Sequence, residues 1–255
     1  MDFTFDRDAV LQLGWKAAET LLFYYGGDVA VQRKSDASPV TQADHASHAI
    51  LREGLKHITP NIPIISEEDT QHKDVSEAEY YWLVDPLDGT KSFIKGTDEF
   101  TINIGLMHHH RPVWGLLVVP VMGLAYMGGV NESAQRINKA GETSQIRCAA
   151  EPAAGEAKQV LVSFSHMDSQ TQAFVDALDV VETRPSSSAY KFCLIADGGA
   201  HIYPRFGPTM EWDTAAGHAI VEAAGGSVVN PDGSLFEYGK ETLKNGAFIA
   251  RGWRV

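Results

Sequence analysis

Cysteine is scarce in this chain. Cys148 and Cys193 are the only two among 255 residues, and no Cys-x-x-Cys pair occurs. Two are too few for a disulfide framework, and a reducing cytoplasm is the expected setting. Long hydrophobic runs are missing as well. No apolar stretch approaches the roughly 18 residues that a membrane span requires. The N-terminus carries Asp2, Asp6 and Asp8 in place of the basic flank of a signal peptide. Basic residues are outnumbered, 21 against 33 acids, for a formal net charge of -12. That balance argues against a nucleic-acid partner, whose binders present a basic face. Part of the acidic excess is ordinary solvated surface, and part is available to divalent ions.

At this length the chain buries a sizeable core, as one large domain or two modest ones. Residues 5–25 repeat Leu11, Trp15, Ala18, Leu22 and Tyr25 at helical spacing, and Gly26-Gly27 stops the pattern. Thr41-x-x-Asp44 precedes a second helical stretch with Ile50, Leu51, Leu55 and Ile58. A short apolar run, Ile62 to Ile65, delivers Ser66-Glu67-Glu68-Asp69 at its end. Residues 99–130 predict an antiparallel meander with turns at Arg111-Pro112 and Met122-Gly123. His108-His109-His110 falls in this region and reads as a turn. The polar stretch from Asn131 to Ala157 is expected to cross between the two halves. Beyond it, strand-like and helix-like segments alternate. Val160 to Phe164 reads as a strand, Ser169 to Leu178 as a helix, and Tyr190 to Ile195 as an apolar segment. Thr214 to Ala224 reads as a helix of small residues opened by Glu211-Trp212-Asp213, and Ala247 to Ala250 as a final strand. The expectation is α/β layering, with an N-terminal α+β subdomain at 1–145 and a C-terminal α/β subdomain at 146–255.

The chain is organised around Tyr80-Tyr81-Trp82-Leu83-Val84-Asp85-Pro86-Leu87-Asp88-Gly89-Thr90. An apolar strand runs into two carboxylates, a glycine and a hydroxyl. Pro86 cannot donate to a ladder, so the strand is expected to end there. The turn then brings Asp85 and Asp88 together, with the Leu87 carbonyl between them. Gly89 admits close backbone approach, and a helix beginning near Thr90 favours an anion. Two carboxylates and a carbonyl are hard oxygen ligands suited to Mg²⁺. Taken alone, Asp-Pro and Asp-Gly pairs are also common surface-turn formers. An EF-hand reading fails, because aligning Gly89 would make Val84 and Leu87 ligands. Five acids stand at strand or helix ends: Asp44, Glu67, Asp85, Asp88 and Asp213. Locally, Asp44 also reads as a first-turn acid of a capped helix.

The segments VTQAD, SEED, WLVDPLDGTKSFIKGTDEFTINIGL and YPRFGPTMEWDTAAGHAIVEAAGG, in that order, resemble the lithium-sensitive, magnesium-dependent phosphatases of the inositol monophosphatase superfamily. Within it, the long matches are most similar to the 3′(2′),5′-bisphosphate nucleotidases of bacterial sulfur assimilation. The resemblance spans nearly the whole chain. It implies an α-β-α-β-α layered sandwich with metals between two subdomains. It also implies two or three Mg²⁺ held by Glu67, Asp85, the Leu87 carbonyl, Asp88 and Asp213. By the same resemblance Asp44 and Thr90 orient and activate water, and the Gly89 and Thr90 N–H groups hold the phosphate. His166, Ser188, Lys191 and Arg205 match positions that contact the nucleotide. His166 reads equally as a capping histidine, and for Lys191 the alternative is a lysine snorkelling beside an apolar strand. Arg205 carries a planar fork suited to phosphate.

The activity so implied is hydrolysis of the 3′-phosphate of adenosine 3′,5′-bisphosphate, and also of 3′-phospho-5′-adenylyl sulfate. Phosphate monoesters hydrolyse so slowly in water that both charge neutralisation and an activated nucleophile are needed. The partner is a small phosphorylated nucleotide, and the sequence leaves a homodimer open. Inositol monophosphatase or fructose 1,6-bisphosphatase activity is the alternative on the same fold. A non-catalytic metal-dependent nucleotide sensor is the alternative of another class. Three positions depart from the family pattern. Ser187 stands where glycine is usual before Ser188, and Phe164 replaces an arginine common before the Ser-His pair. Asn245-Gly246 stands where Asn-Pro is frequent. The first two bear on substrate identity rather than on reaction type.

Overall fold

The computed structural model describes residues 4–26, 31–33, 39–70, 74–75, 77–164 and 167–255. His166, among the predicted nucleotide contacts, lies outside the described residues. Two helices open the chain, α1 (Arg7–Tyr24) and α2 (Gln42–Ile58). The short strands β1 (Val31–Arg33) and β2 (Pro39–Thr41) pair antiparallel between them. A seven-stranded sheet follows, made of β3 (Ile64–Ser66), β4 (Tyr80–Asp88), β5 (Thr101–His108), β6 (Arg111–Val119), β7 (Leu124–Gly129), β8 (Gln135–Asn138) and β9 (Thr143–Gln145). These strands lie side by side in chain order, with β3 parallel to β4 and the rest antiparallel. The short helix α3 (Thr90–Ile94) lies between β4 and β5.

The second sheet has five strands: β10 (Lys158–Ser163), β11 (Val181–Ser186), β12 (Ile202–Arg205), β13 (Ser227–Val229) and β14 (Phe248–Arg251). Their spatial order is β11-β10-β12-β14-β13. Three helices accompany them, α4 (Ser169–Asp176), α5 (Tyr190–Ala196) and α6 (Glu211–Ala223).

Two-residue alternation sorts these elements into layers. Trp82 and Val84 of β4 face α1 and α2, packing with Leu21, Leu51 and Leu55. Their neighbours Tyr81 and Leu83 face the other way, into a core shared with Phe192 of α5 and Ile220 of α6. Leu161, Tyr203, Phe248 and Ala250 of the second sheet close that same core. On the far face Val160, Val162, Ile202 and Ile249 pack against Val175 of α4. The result is an α-β-α-β-α sandwich, as the resemblance implies. Helix α6 lies close on the first sheet because glycines line its seat. A Cβ added at Gly115 would stand 2.2 Å from the Ala216 carbonyl oxygen. Among the described residues no helix is long and apolar enough to cross a membrane.

Four expectations need correction. Strand β4 does not stop at Pro86 but runs to Asp88. The ladder to β5 slips between Asp85 and Asp88, and Pro86 occupies that irregularity, where no ladder donor is missed. The Ser47 hydroxyl donates to the Pro86 carbonyl at 2.8 Å and pins the bulge. The polar crossover contains two strands, β8 and β9, which extend the meander. Val181 to Ser186, assigned to no element by sequence, forms β11 along the edge of the second sheet. The apolar run at Tyr190 is a helix, and Lys191 is buried within it rather than snorkelling beside a strand.

Candidate active site

The candidate site lies where strand ends and helix starts converge. Strand β3 ends at Ser66 and hands over Glu67, and β4 delivers Asp85, Leu87 and Asp88. Gly89 takes a left-handed φ of 91°, which glycine allows without strain, and turns the chain into α3. A Cβ there would come 3.2 Å from that of Ser188. The left-handed Ser188, with φ 51°, precedes α5, and Asp213 lies in the first turn of α6. Glu67, Asp85, Leu87, Asp88, Gly89 and Thr90 line one cavity of about 350 Å³. Ser188, Lys191, Arg205 and Asp213 complete its wall. Residues far apart in the chain thus share one space.

Hydrogen bonds set the acids in place. Asp85 Oδ1 accepts from the Leu87 N–H at 3.0 Å. Asp88 Oδ2 accepts from the Ala189 N–H at 2.5 Å and from the Asn103 amide at 3.4 Å. Asp213 Oδ2 accepts from the Met210 N–H at 2.8 Å. Asp44 sits just behind the cavity and serves two partners. Its Oδ2 accepts from the Thr41 N–H at 2.8 Å and the Thr41 hydroxyl at 2.5 Å, which completes a capping box. Its Oδ1 faces the Thr90 hydroxyl at 3.3 Å. That hydroxyl also lies 3.2 Å from the Leu87 carbonyl oxygen.

The electrostatics are those of crowded, buried acids. Burial pushes Asp85 well above the usual carboxylate range, and the negative charges of Glu67, Asp88 and Asp213 push it further. A hydrogen bond between the Asp85 and Glu67 side chains adds to the rise. Burial and the charge of Asp88 likewise hold Asp213 far above the ordinary value. Asp88 is raised by burial, against the pull of the Lys191 ammonium. Burial lowers Lys191 to about 8, opposed by the charge of Asp88. Its ammonium donates to the Ser188 carbonyl at 2.7 Å and the Ser186 carbonyl at 3.3 Å, over the Tyr203 ring. Arg205 donates to the Gly207 and Pro208 carbonyls, each at 3.2 Å.

Such a set suits a hard cation. The donors are carboxylate and carbonyl oxygens, and repulsion among them is relieved only by protons or by cations. Among the described residues no three acids are drawn to ligand distance of one point. The acids converge without forming a closed cage. Asn103 and Ser47 escaped the sequence reading. Asn103 carried a signal, being one polar side chain between Ile102 and Ile104 in a strand otherwise apolar there. Ser47 carried none beyond its place on α2.

A layered α/β sandwich with an acidic pocket at its strand ends sets the structural class. More narrowly, the chain belongs to the inositol monophosphatase family, whose family model matches residues 6–254. It is 40% identical over 251 residues to the 3′(2′),5′-bisphosphate nucleotidase CysQ of Escherichia coli K12, covering 97% of this chain and 98% of the relative. The crystal structure of CysQ from Bacteroides thetaiotaomicron superposes with a TM-score of 0.82 at 33% identity, covering 97% of each chain. An inositol monophosphatase from Anabaena superposes with a TM-score of 0.77 at 23% identity, covering 96% of this chain and 90% of the other. That last likeness is one of fold.

Proposed function

We propose that this chain is a magnesium-dependent phosphomonoesterase that removes the 3′-phosphate from adenosine 3′,5′-bisphosphate. The observation that carries the reading is the gathering of Glu67, Asp85, Asp88 and Asp213 around one cavity beside the Asp44–Thr90 pair. The 40% identity to CysQ over nearly the whole chain supports the choice of substrate. Glu67, Asp85, the Leu87 carbonyl, Asp88 and Asp213 would hold two or three Mg²⁺ ions. When bound, magnesium supplies charge against the phosphoryl oxygens and makes nearby water more acidic.

The protein's own groups do the rest. The Thr90 hydroxyl positions a water, and Asp44 Oδ1 takes its proton as the oxygen attacks phosphorus. The bond from phosphorus to the 3′-oxygen breaks, and that oxygen leaves with the electron pair and takes a proton from solvent. The products are inorganic phosphate and adenosine 5′-monophosphate. Gly89 and Thr90 N–H groups bind the phosphoryl oxygens. Ser188, Lys191, Arg205 and His166 serve the nucleotide. Residues 1–145 form one subdomain and 146–255 the other, with the pocket between them. Two unpaired thiols, Cys148 and Cys193, suit a cytoplasmic setting.

A phosphate-release assay with magnesium, with and without lithium, tests the reading. The substrates are adenosine 3′,5′-bisphosphate, inositol 1-phosphate and fructose 1,6-bisphosphate. The nucleotide is expected to give the highest kcat/KM, with inhibition by lithium. Equal or better turnover of inositol phosphate rejects it. An inactive protein that still binds the nucleotide with magnesium is a sensor instead.

A further inference from the structure

Beyond the acidic pocket lies a second cavity of about 380 Å³, and the two share the walls Lys91, Ser92 and Ser187. Its most unusual lining residue is Phe164, which directly follows β10 and is 69% exposed. Phe93, Phe100, Phe192, Phe236 and Phe248 are by contrast buried in the cores, while Phe23, at the end of α1, is also exposed. A lone exposed ring is ordinary; what sets Phe164 apart is that its cavity shares three walls with the acidic pocket. We propose that Phe164 is the stacking platform for the purine base of the substrate, and that this adjoining cavity takes the base. The inference rests on the nucleotidase reading above and adds to it what selects the nucleotide.

The platform is fixed relative to the phosphoryl site. The Phe164 N–H donates to the Ser186 carbonyl at 3.2 Å, tying it to the end of β11. The next residue, Ser187, donates its N–H to Glu99 Oε2 at 2.6 Å, and Ser188 packs against Gly89. One short segment therefore joins the stacking face to the phosphate-binding turn. The remaining wall combines apolar Met122 and Pro185 with Lys95, Thr97 and the carboxylates of Asp98 and Glu99. A planar ring bearing an exocyclic amine finds a π-face on one side and acceptors at its edge. A saturated, hydroxylated ring gains little from a phenyl face. Phe164 would then discriminate by the base, where an arginine at the same place would act on a phosphate.

The test uses the full chain with magnesium, as Phe164→Ala and Phe164→Trp beside the unaltered enzyme. The substrates are adenosine 3′,5′-bisphosphate and ribose 3,5-bisphosphate, which lacks the base. Phe164→Ala is expected to raise KM for the nucleotide about tenfold with kcat little changed. The KM for the base-free sugar should stay put, and Phe164→Trp should keep tight nucleotide binding. An unchanged nucleotide KM in Phe164→Ala overturns the proposal, as does an equal rise for both substrates. Failure of the unaltered enzyme to hydrolyse the nucleotide overturns the nucleotidase reading, and this inference with it.

Discussion

Asp44 shows how one side chain serves fold and chemistry at once. Its Oδ2 is spent on the start of α2, and its Oδ1 points at Thr90. Asparagine at this position can satisfy one task but cannot take a proton. Asp44→Asn is therefore expected to lower kcat by roughly 10²–10⁴-fold with KM nearly held. The cap keeps an oxygen acceptor but loses its charge at the helix N-terminus, which should cost about 0.3–1 kcal/mol in stability. Steady-state phosphate release read beside a thermal melt separates the two effects, and full activity in the variant would remove Asp44 from the proposed chemistry. At this scale the sequence was informative where a residue's local role and its site role coincide. The capping pattern Thr41-x-x-Asp44 was visible in four letters, while the pairing with Thr90 came from the family resemblance and its 3.3 Å contact from the fold. The snorkelling alternative for Lys191 stayed open because nothing local reveals that Ser186, Ser188 and Tyr203 enclose its ammonium.

Among the elements, α6 carries the greatest demand on geometry. It brings Asp213 to the pocket while lying on strands whose glycines leave it room. Gly105, Gly115 and Gly128 each face its small residues, with added Cβ atoms coming within 3.0 Å of Ala215, Ala216 or Ala223. At Gly115 the obstacle is backbone, which cannot swing aside as a flexible side chain can. Gly115→Ala should lift α6 and cost about 1–3 kcal/mol or more in overpacking. Magnesium affinity, read by titration calorimetry, should weaken as well, because Asp213 moves with the helix. A variant as stable and as avid for the metal as the original would show that α6 is not seated this way.

Elements with strong periodicity or a marked end were legible: α1, α2, β4 to β7 and α6. The missed ones lacked such signals. Strand β9 is exposed at all three residues, so no apolar alternation announces it. Strand β11, reading Val-Glu-Thr-Arg-Pro-Ser, is a polar edge that gains its state from pairing with β10. Helix α5 is buried at every one of its seven residues, and a segment apolar on all sides has no period to read.

For the whole molecule, the acids of the pocket link stability to pH and to the metal. Asp85, Asp88 and Asp213 are raised above their unfolded values, so the metal-free native state holds protons that the unfolded chain has released. Their contribution to stability is then lost as pH rises from the ordinary carboxyl range through the raised values. On the proposed function, magnesium would replace those protons and stabilise the native state by mass action. After chelation, Tm is expected to respond to added magnesium more strongly at about pH 8 than at about pH 5. Scanning calorimetry at both values checks this. An increment independent of pH, or larger in acid, would mean that the cation does not displace those protons.

The acid on α6 belongs to the late part of the polypeptide, whereas its companions on β3 and β4 emerge early from the ribosome. A growing or prematurely terminated chain lacks that acid, and lacks too the α5 and α6 residues that cover the inner face of the first sheet. With the proposed site, such a chain would be silent as a hydrolase until the late helix is made.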